Sequence, residues 1–227
     1  MRKTNSSVPT AGRRVLRSMV IPFFAMTAAA FILSGCCSSD HRSEPILVKQ
    51  IPMPPWLMKL EAENLGRVIA GDEAKIRFVV ELAEKNVRHE TGGPFAAAIF
   101  ERGTDRLIAV GVNVVVPAKQ SWAHAEMTAF AHAQNRLDKA SLKGCVLASS
   151  CEPCAMCSGA TLWSGVEKLI YGAPRKAAEK IGFDEGYKGV FWRSETGRRG
   201  IQVIGPLLGK EAFAPFELYR KKNGKIY

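Results

Sequence analysis

From residue 72 onward, segments with helical hydrophobic spacing alternate with short continuous apolar runs. The first segment carries apolar side chains three or four positions apart: Ile76, Val79, Val80, Ala83 and Val87. This spacing predicts a helix from an N-cap at Asp72 to Arg88. The next run, residues 95–100, is continuously apolar, which is typical of a strand covered on both faces.

The same reading continues to the end of the chain. Further strands are predicted at 106–116, 145–149, 167–171 and 201–204, and further helices at 123–136, 154–163, 177–181 and 211–223. Strands that alternate with helices indicate an α/β fold. We therefore expect a three-layer α/β/α sandwich, with helices on both faces of a mixed five-stranded sheet.

The first 35 residues have a different pattern. Residues 1–35 contain five basic residues and no acidic ones, and all five precede an apolar stretch over 18–33. The sequence Leu33-Ser34-Gly35-Cys36 ends this region. This order predicts a signal peptide over 1–35, because the stretch is short for a transmembrane helix. Leu-Ser-Gly-Cys also resembles a bacterial lipobox, in which Cys36 becomes the lipidated first residue. An ordinary signal peptide and an uncleaved anchor remain alternatives.

A lipidated chain would be exported and held at the periplasmic face of a membrane, with the outer membrane favoured because Cys37 follows the lipidation point. An unused signal would leave the protein in the cytoplasm. Residues 36–71 are predicted to form a tether, polar at first and then stiffened by prolines. Around Trp56 the tether could fold as a short helix on the main domain, which is predicted to span residues 72–227.

Charge and cysteine usage exclude some functions. Five of the eleven net positive charges lie in residues 1–35, and the rest are dispersed, so nucleic-acid binding is not expected. The chain has six cysteines, but a disulfide framework is not predicted. Cys36 is assigned to lipidation, Cys145 lies in an apolar strand, and Cys154 and Cys157 have the spacing of metal ligands.

The strongest chemical signal is Cys154-x-x-Cys157 together with His124 upstream. One imidazole and two thiolates are typical zinc ligands, and a catalytic site leaves the fourth position to water. We therefore predict one Zn²⁺ per chain, lying between two helix N-termini because Pro153 suits a first helical turn. Glu126 is the predicted acid–base carboxylate beside it.

His124-Ala125-Glu126 followed by Pro153-Cys154-x-x-Cys157 resembles the signature of the zinc-dependent cytidine deaminase superfamily. The resemblance implies hydrolytic deamination. In that reaction Glu126 takes a proton from water and passes it to a ring nitrogen next to the attacked carbon.

Within this superfamily, residues 72–227 resemble the bacterial guanine deaminases. The resemblance implies that Phe95, after Gly-Gly-Pro, stacks on the base and that the Asn113 amide binds the base edge. Trp163 would form a pocket wall, and Ala125 would be a further substrate contact. Phe95 and Trp163 could instead be core residues, and Asn113 a turn residue.

Two features near the end of the chain complete this resemblance. Gly182-Phe183-Asp184-Glu185 is similar to a segment that supplies a second proton-transfer carboxylate, here Glu185. The tail ending in Tyr227 resembles one that crosses to the partner subunit of a homodimer and closes its pocket. Glu185 stands where some members have Asp, and a signal peptide is foreign to a cytoplasmic salvage enzyme.

The predicted function is zinc-dependent deamination of a free nucleobase, guanine first, to xanthine and ammonia. Alternatives are a transfer-RNA adenosine deaminase, a deaminase of cytosine or another aminated heterocycle, and a zinc-stabilised binding lipoprotein without catalysis. The presence of Glu126 argues against the last, because folding needs the metal ligands but not a proton shuttle.

Overall fold

The computed structural model of the protein describes residues 51–189 and 192–227. The predicted signal peptide and Cys36 lie outside the described residues. Within the described part of the chain, no helix has the length and apolar character needed to cross a bilayer.

Helices and strands follow one another along most of the described chain. The helices are α1 Pro55–Asn64, α2 Asp72–Arg88, α3 Val115–Ala118, α4 Ala125–Leu137, α5 Ala155–Ser164, α6 Arg175–Glu179, α7 Trp192–Arg198 and α8 Ala214–Lys221, which a 3₁₀ turn at Gly209–Phe213 precedes. The strands are β1 Ala96–Glu101, β2 Leu107–Val112, β3 Cys145–Cys151, β4 Lys168–Ala173 and β5 Gln202–Ile204.

The five strands form one mixed sheet in the order β2-β1-β3-β4-β5. Strand β1 is antiparallel to β2 and β3, whereas β3, β4 and β5 run parallel. Side chains of β1 alternate between the two faces. Ala98 and Phe100 join the apolar cluster of α2 and α8, while Ala97 and Ile99 join that of α4. The predicted three-layer α/β/α sandwich is confirmed.

Helix α4 lies very close to the sheet because Gly111 of β2 has no side chain. A Cβ atom at Gly111 would collide with the Ala125 carbonyl oxygen and the Ala129 amide nitrogen. The first turn of α4 therefore approaches the sheet more closely than another residue at position 111 would allow. This contact fixes the end of α4 that carries His124 and Glu126.

Several boundaries differ from the sequence prediction. Helix α2 begins at Asp72 but its N-cap is Gly71, and the Asp72 carboxylate pairs with Lys168 at 2.7 Å instead of capping the helix. Strand β2 ends at Val112 rather than at 116, because a short helix starts at Val115.

Besides the short helix α3, two more helices lie outside the predicted set. Helix α1 lies within the predicted tether and buries Leu57 in the core. The later part of the tether therefore packs on the domain, which was the possibility considered for the segment around Trp56. Helix α7 was not predicted, since its sequence is polar on nearly every side after Trp192 and gives no apolar period.

Candidate metal centre and active site

The three predicted zinc ligands converge at the starts of two helices. His124 is the N-cap of α4, and Cys154 is the N-cap of α5, each with extended backbone. Cys157 lies in the first turn of α5, and its backbone N–H donates to Cys154 Sγ at 3.5 Å. Both helix dipoles therefore direct their positive ends at the ligand atoms, which favours thiolates there.

The spacing of the donor atoms fits zinc. His124 Nδ1 lies 3.5 Å from Cys154 Sγ and 3.7 Å from Cys157 Sγ, and all three donors lie within 4.8 Å of one another. Tetrahedral Zn²⁺ with Zn–N near 2.0 Å and Zn–S near 2.3 Å requires donors roughly 3.5–3.8 Å apart. Hydrogen bonds from Cys157 and His124 lower the pKa of Cys154 to about 4, so a thiolate is available at neutral pH.

These donors sit at one edge of the sheet. Strand β3 ends at Cys151, and three residues later the chain reaches Cys154. Asn113 directly follows β2, and Phe95 directly precedes β1. Because β1 is antiparallel to both neighbours, its beginning lies at the same edge as the ends of β2 and β3. The predicted metal and substrate residues thus share the carboxyl edge of β3, where ligands commonly bind in α/β sheets.

Glu126 is buried beside the donors, in the first turn of α4 and next to the fully buried Ala125. Ser149 Oγ donates to Glu126 Oε1 at 3.1 Å. Burial raises the pKa of Glu126, and the neighbouring Cys154 thiolate adds to the effect. This role of Ser149 was not predicted from the sequence. The signal that could have indicated it is the polar pair Ser149-Ser150, which interrupts an otherwise apolar strand.

Glu185 is a second buried carboxyl at this site. It lies on the loop after α6, and its backbone carbonyl accepts a hydrogen bond from Ala155 N at 3.0 Å. Burial, followed by the charges of Cys154 and Glu126, raises the pKa of Glu185 to about 8. The site therefore holds two buried carboxyl groups whose pKa values are both raised, that of Glu185 to about 8.

The predicted substrate residues Asn113 and Tyr227 also meet at this edge. Asn113 is 1% exposed, and its Oδ1 accepts from Val115 N at 3.3 Å. A Cβ atom at Gly93 would lie 2.6 Å from the Tyr227 hydroxyl and 3.2 Å from Asn113 Oδ1, so the glycine leaves space for both. The chain's own tail thus reaches its own site, whereas the resemblance implied a tail from the partner subunit.

An aromatic cluster holds the tail in this position. The Phe183 ring meets the Tyr227 ring edge-on at 5.1 Å and the Phe95 ring at 5.0 Å, and Phe95 also contacts Phe216 at 5.4 Å. Phe95 is therefore half-buried at the border between the site and the core, and its stacking role stays a prediction.

Trp163 is not at this site in the chain. Its side chain is 81% exposed, with Arg199 over its ring. Trp163 lies nine residues after Cys154, about 13 Å along α5, and about 120° around the helix axis from the buried Cys157. Within its own chain Trp163 does not line the site, and its role as a pocket wall stays a prediction.

Comparison with known proteins agrees with the site. Residues 70–173 match the family model of the cytidine and deoxycytidylate deaminase zinc-binding region. The chain is 38% identical over 115 residues to guanine deaminase of Bacillus subtilis, covering 51% of this chain and 72% of that one. It is 30% identical over 150 residues to a probable cytosine deaminase of Schizosaccharomyces pombe, covering 63% and 89%.

Solved structures are also similar. The guanine deaminase from Nitrosomonas europaea has a TM-score of 0.71 and 43% identity, over 75% of this chain and 95% of that one. A structure solved with bound 2,6-diaminopurine has a TM-score of 0.72 and 44% identity, over 78% and 95%. With a relative matched over most of its length and a zinc-donor set at the matched region, the chain belongs to the cytidine and deoxycytidylate deaminase zinc-binding family.

Proposed function

We propose that the protein hydrolyses free guanine to xanthine and ammonia at a zinc centre. The observation that carries this proposal is the triangle of His124, Cys154 and Cys157 donors at zinc spacing with Glu126 buried beside it. The choice of guanine is supported by the similarity to guanine deaminases of two bacteria.

His124, Cys154 and Cys157 would hold the zinc ion. When bound, zinc supplies a Lewis acid that lowers the pKa of water to roughly 7 and so makes a nucleophile available at neutral pH. The protein's own carboxyl groups then handle the protons of the reaction.

Glu126 is proposed to move the first proton. Its carboxylate takes a proton from the attacking water and gives it to the ring nitrogen next to the carbon that bears the amino group. The hydrogen bond from Ser149 holds one carboxylate oxygen in place for this transfer. A raised pKa suits the role, because the group must both accept and release a proton.

Glu185 is proposed to assist the departure of the amino group. As the carbon–nitrogen bond breaks, the nitrogen takes a proton and leaves as ammonia, while the remaining proton of the added water passes from the oxygen to the Glu185 carboxylate and that oxygen becomes the ring carbonyl. Glu185 is buried and has a pKa of about 8, so it can donate the proton to the nitrogen near neutral pH.

Three side chains are proposed to hold the base. The Asn113 amide would pair with the base edge, because it is buried at the same edge of the sheet as the zinc donors. Phe95 would contact the ring, and Tyr227 would cover the pocket. Each ring is already fixed by edge-on packing against Phe183, which limits its motion when the base binds.

The test offers purified zinc-loaded protein guanine, adenine, cytosine, cytidine and an adenosine-bearing RNA hairpin, and measures ammonia. Release from guanine is expected. Glu126→Gln should lower that rate by about 10²–10⁴-fold while zinc content is unchanged. Activity only on the hairpin or on cytosine would overturn the choice of substrate. Zinc-loaded protein that releases no ammonia would favour a binding function.

We further propose that the protein is exported, lipidated at Cys36 and dimeric. The export proposal rests on the sequence of residues 1–36. The dimer is supported by Met156 and Trp163, which lie seven positions apart on one face of α5 and are 38% and 81% exposed. Cys36→Ala should release the protein from membranes, and sedimentation should give twice the chain mass. A membrane-bound Cys36→Ala or a monomer would contradict them.

A further inference from the structure

The loop that carries Glu185 is fastened to the loop that leads into the first cysteine ligand. Lys188 Nζ lies 2.9 Å from Glu152 Oε1, and the two side chains are 4% and 14% exposed. Glu152 stands two residues before Cys154, and Lys188 stands three residues after Glu185. This ion pair therefore joins the metal-ligand loop to the loop of the second carboxyl.

The Lys188 ammonium is enclosed on several sides. Besides Glu152, it donates to the Pro153 carbonyl oxygen and lies over the Trp192 ring, 4.3 Å from its centroid. Withdrawing an ammonium from water is costly unless charged and polar partners replace the water. The number of partners around Lys188 indicates a fixed side chain rather than a solvated surface lysine.

Glu152 is held from the other direction as well. Its second oxygen accepts a hydrogen bond from Arg175 N at 3.3 Å, and Arg175 Nη1 donates to the Gly186 carbonyl at 3.4 Å. The Glu185 carbonyl accepts from Ala155 N, in the first turn of α5. Contacts at Glu185, Gly186 and Lys188 thus hold this loop against α6 and against the residues that flank Cys154.

We propose that Lys188 is a positioning residue for deamination: through its ion pair with Glu152 it holds the Glu185 loop against the metal-ligand loop. The inference rests on the proposed function, in which Glu185 gives a proton to the leaving nitrogen. Loss of the pair would let the Glu185 carboxyl shift while the zinc donors and the Asn113 pocket stay in place. The chemical step should slow, and binding of the base should not weaken.

The first variant to measure is Lys188→Met, which keeps the length of the side chain and removes its charge. A displacement near 1 Å at a reacting group costs up to about 10²-fold in rate, so kcat for guanine should fall roughly 10- to 100-fold. KM and bound zinc should stay at the values of the unmodified protein. The matched control is Lys168→Met, which breaks a partly buried ion pair with Asp72 on the α2 side of the sheet. The control should lower the unfolding temperature without changing kcat.

A double-mutant cycle separates positioning from a general structural role. Glu152→Gln should lower kcat like Lys188→Met, and the double variant should be no slower than the slower single variant. Lys188→Arg keeps the charge and should recover most of the lost kcat. Additive losses in the cycle, or an equal loss in Lys188→Arg and Lys188→Met, would overturn the proposal.

The remaining outcomes are also decisive. If Lys188→Met does not fold, Lys188→Arg and Glu152→Gln carry the test by the same criteria. Loss of zinc from Lys188→Met, or an unchanged kcat in an enzyme that deaminates guanine, would overturn the positioning role alone. Lack of guanine deamination by the unmodified protein would instead overturn the proposed function.

Discussion

Charged side chains buried near β2 have partners of opposite sign, whereas the two carboxyls buried beside the zinc donors form no ion pair with lysine or arginine within the described residues. Near β2, Lys75 is 2% exposed, and its Nζ lies 2.8 Å from Asp105 Oδ1. Glu61 of α1 accepts a hydrogen bond from Val110 N of β2 at 3.0 Å and pairs with Arg136 at 2.8 Å. Each buried charge there has a protein partner of opposite sign, which is the condition for burial without a large cost.

The metal centre is different. Glu126 and Glu185 are buried beside two thiols, and within residues 51–189 and 192–227 neither carboxyl forms an ion pair with lysine or arginine. Burial raises the pKa of both groups. The protein thus places thiols and carboxyls without basic partners where a divalent cation binds, and pairs buried charges where only stability is needed. Substitutions at the first region should change catalysis least and stability most, and those at the second the reverse.

The largest effect is expected for Cys157→Ser, which removes one zinc donor. Serine is a poor zinc ligand at neutral pH, so bound zinc should be lost and guanine turnover should fall by about 10³-fold or more, equivalent to several kcal/mol of transition-state stabilisation. Metal analysis of the purified variant measures the loss. Cys151→Ala is the control, since that thiol is buried but lies outside the donor triangle. Full zinc occupancy in Cys157→Ser would contradict the assignment.

Glu185→Gln should show that the second carboxyl serves catalysis and not the fold. The kcat should fall by about 10²-fold, the lower range for loss of a proton-transfer group, with zinc retained. The unfolding temperature should stay level, because a pKa of about 8 leaves Glu185 mostly protonated at pH 7, and glutamine is a neutral group of the same shape. Asp184→Asn is the neighbouring control, since that exposed side chain accepts from Gly186 N and asparagine can do the same. Wild-type kcat in Glu185→Gln would remove Glu185 from the mechanism.

The contrast between the regions also explains how much could be predicted from sequence. The zinc donors and Glu126 were predictable because each stands in a short motif whose residue types carry the chemistry. Most strands and helices were predictable because the apolar runs and helical spacing are local. Local signals were insufficient for Trp163, whose distance along the chain from Cys154 does not say which side of α5 faces the site.

Contacts between distant segments account for the rest. Ser149 orients Glu126 only because β3 lies beside the start of α4, and Gly111 matters only because α4 crosses β2 at that point. The Lys188–Glu152 pair joins residues 36 positions apart and has no motif of its own. The Lys75–Asp105 pair also lacks a local signal, because the position of Lys75 in α2 does not indicate a partner 30 residues later.

Asp105→Asn should have a moderate effect on stability and leave kcat unchanged. The substitution leaves the buried Lys75 ammonium without its counter-charge, so the free energy of unfolding at pH 7 should fall by about 2–3 kcal/mol. This loss is smaller than for a fully buried pair because the Asp105 side chain is 32% exposed. The double variant with Lys75→Met should recover part of this loss, because it also removes the unpaired Lys75 ammonium. Equal stability of the double and single variants would contradict the explanation.

The same pair sets a pH dependence with a definite sign. A hydrogen bond from Lys75 lowers the pKa of Asp105 in the folded protein. Its stabilising contribution is therefore complete above the unfolded pKa of about 3.9 and is lost as the pH falls through the lower folded value. Denaturant titrations should show the difference between wild type and Asp105→Asn shrinking below about pH 4. A difference that stayed constant down to pH 2 would exclude this linkage.

The smallest effect is expected for Glu61→Gln. The amide oxygen can still accept from Val110 N, while the charge pair with Arg136 is lost. Because the Arg136 side chain is 35% exposed, this loss should cost less than about 1 kcal/mol. Glu61→Ala should cost about 1–2 kcal/mol, because it also leaves the buried Val110 N–H without an acceptor. Equal losses in the two variants would mean that Glu61 stabilises β2 by its charge and not as an acceptor for the edge-strand backbone.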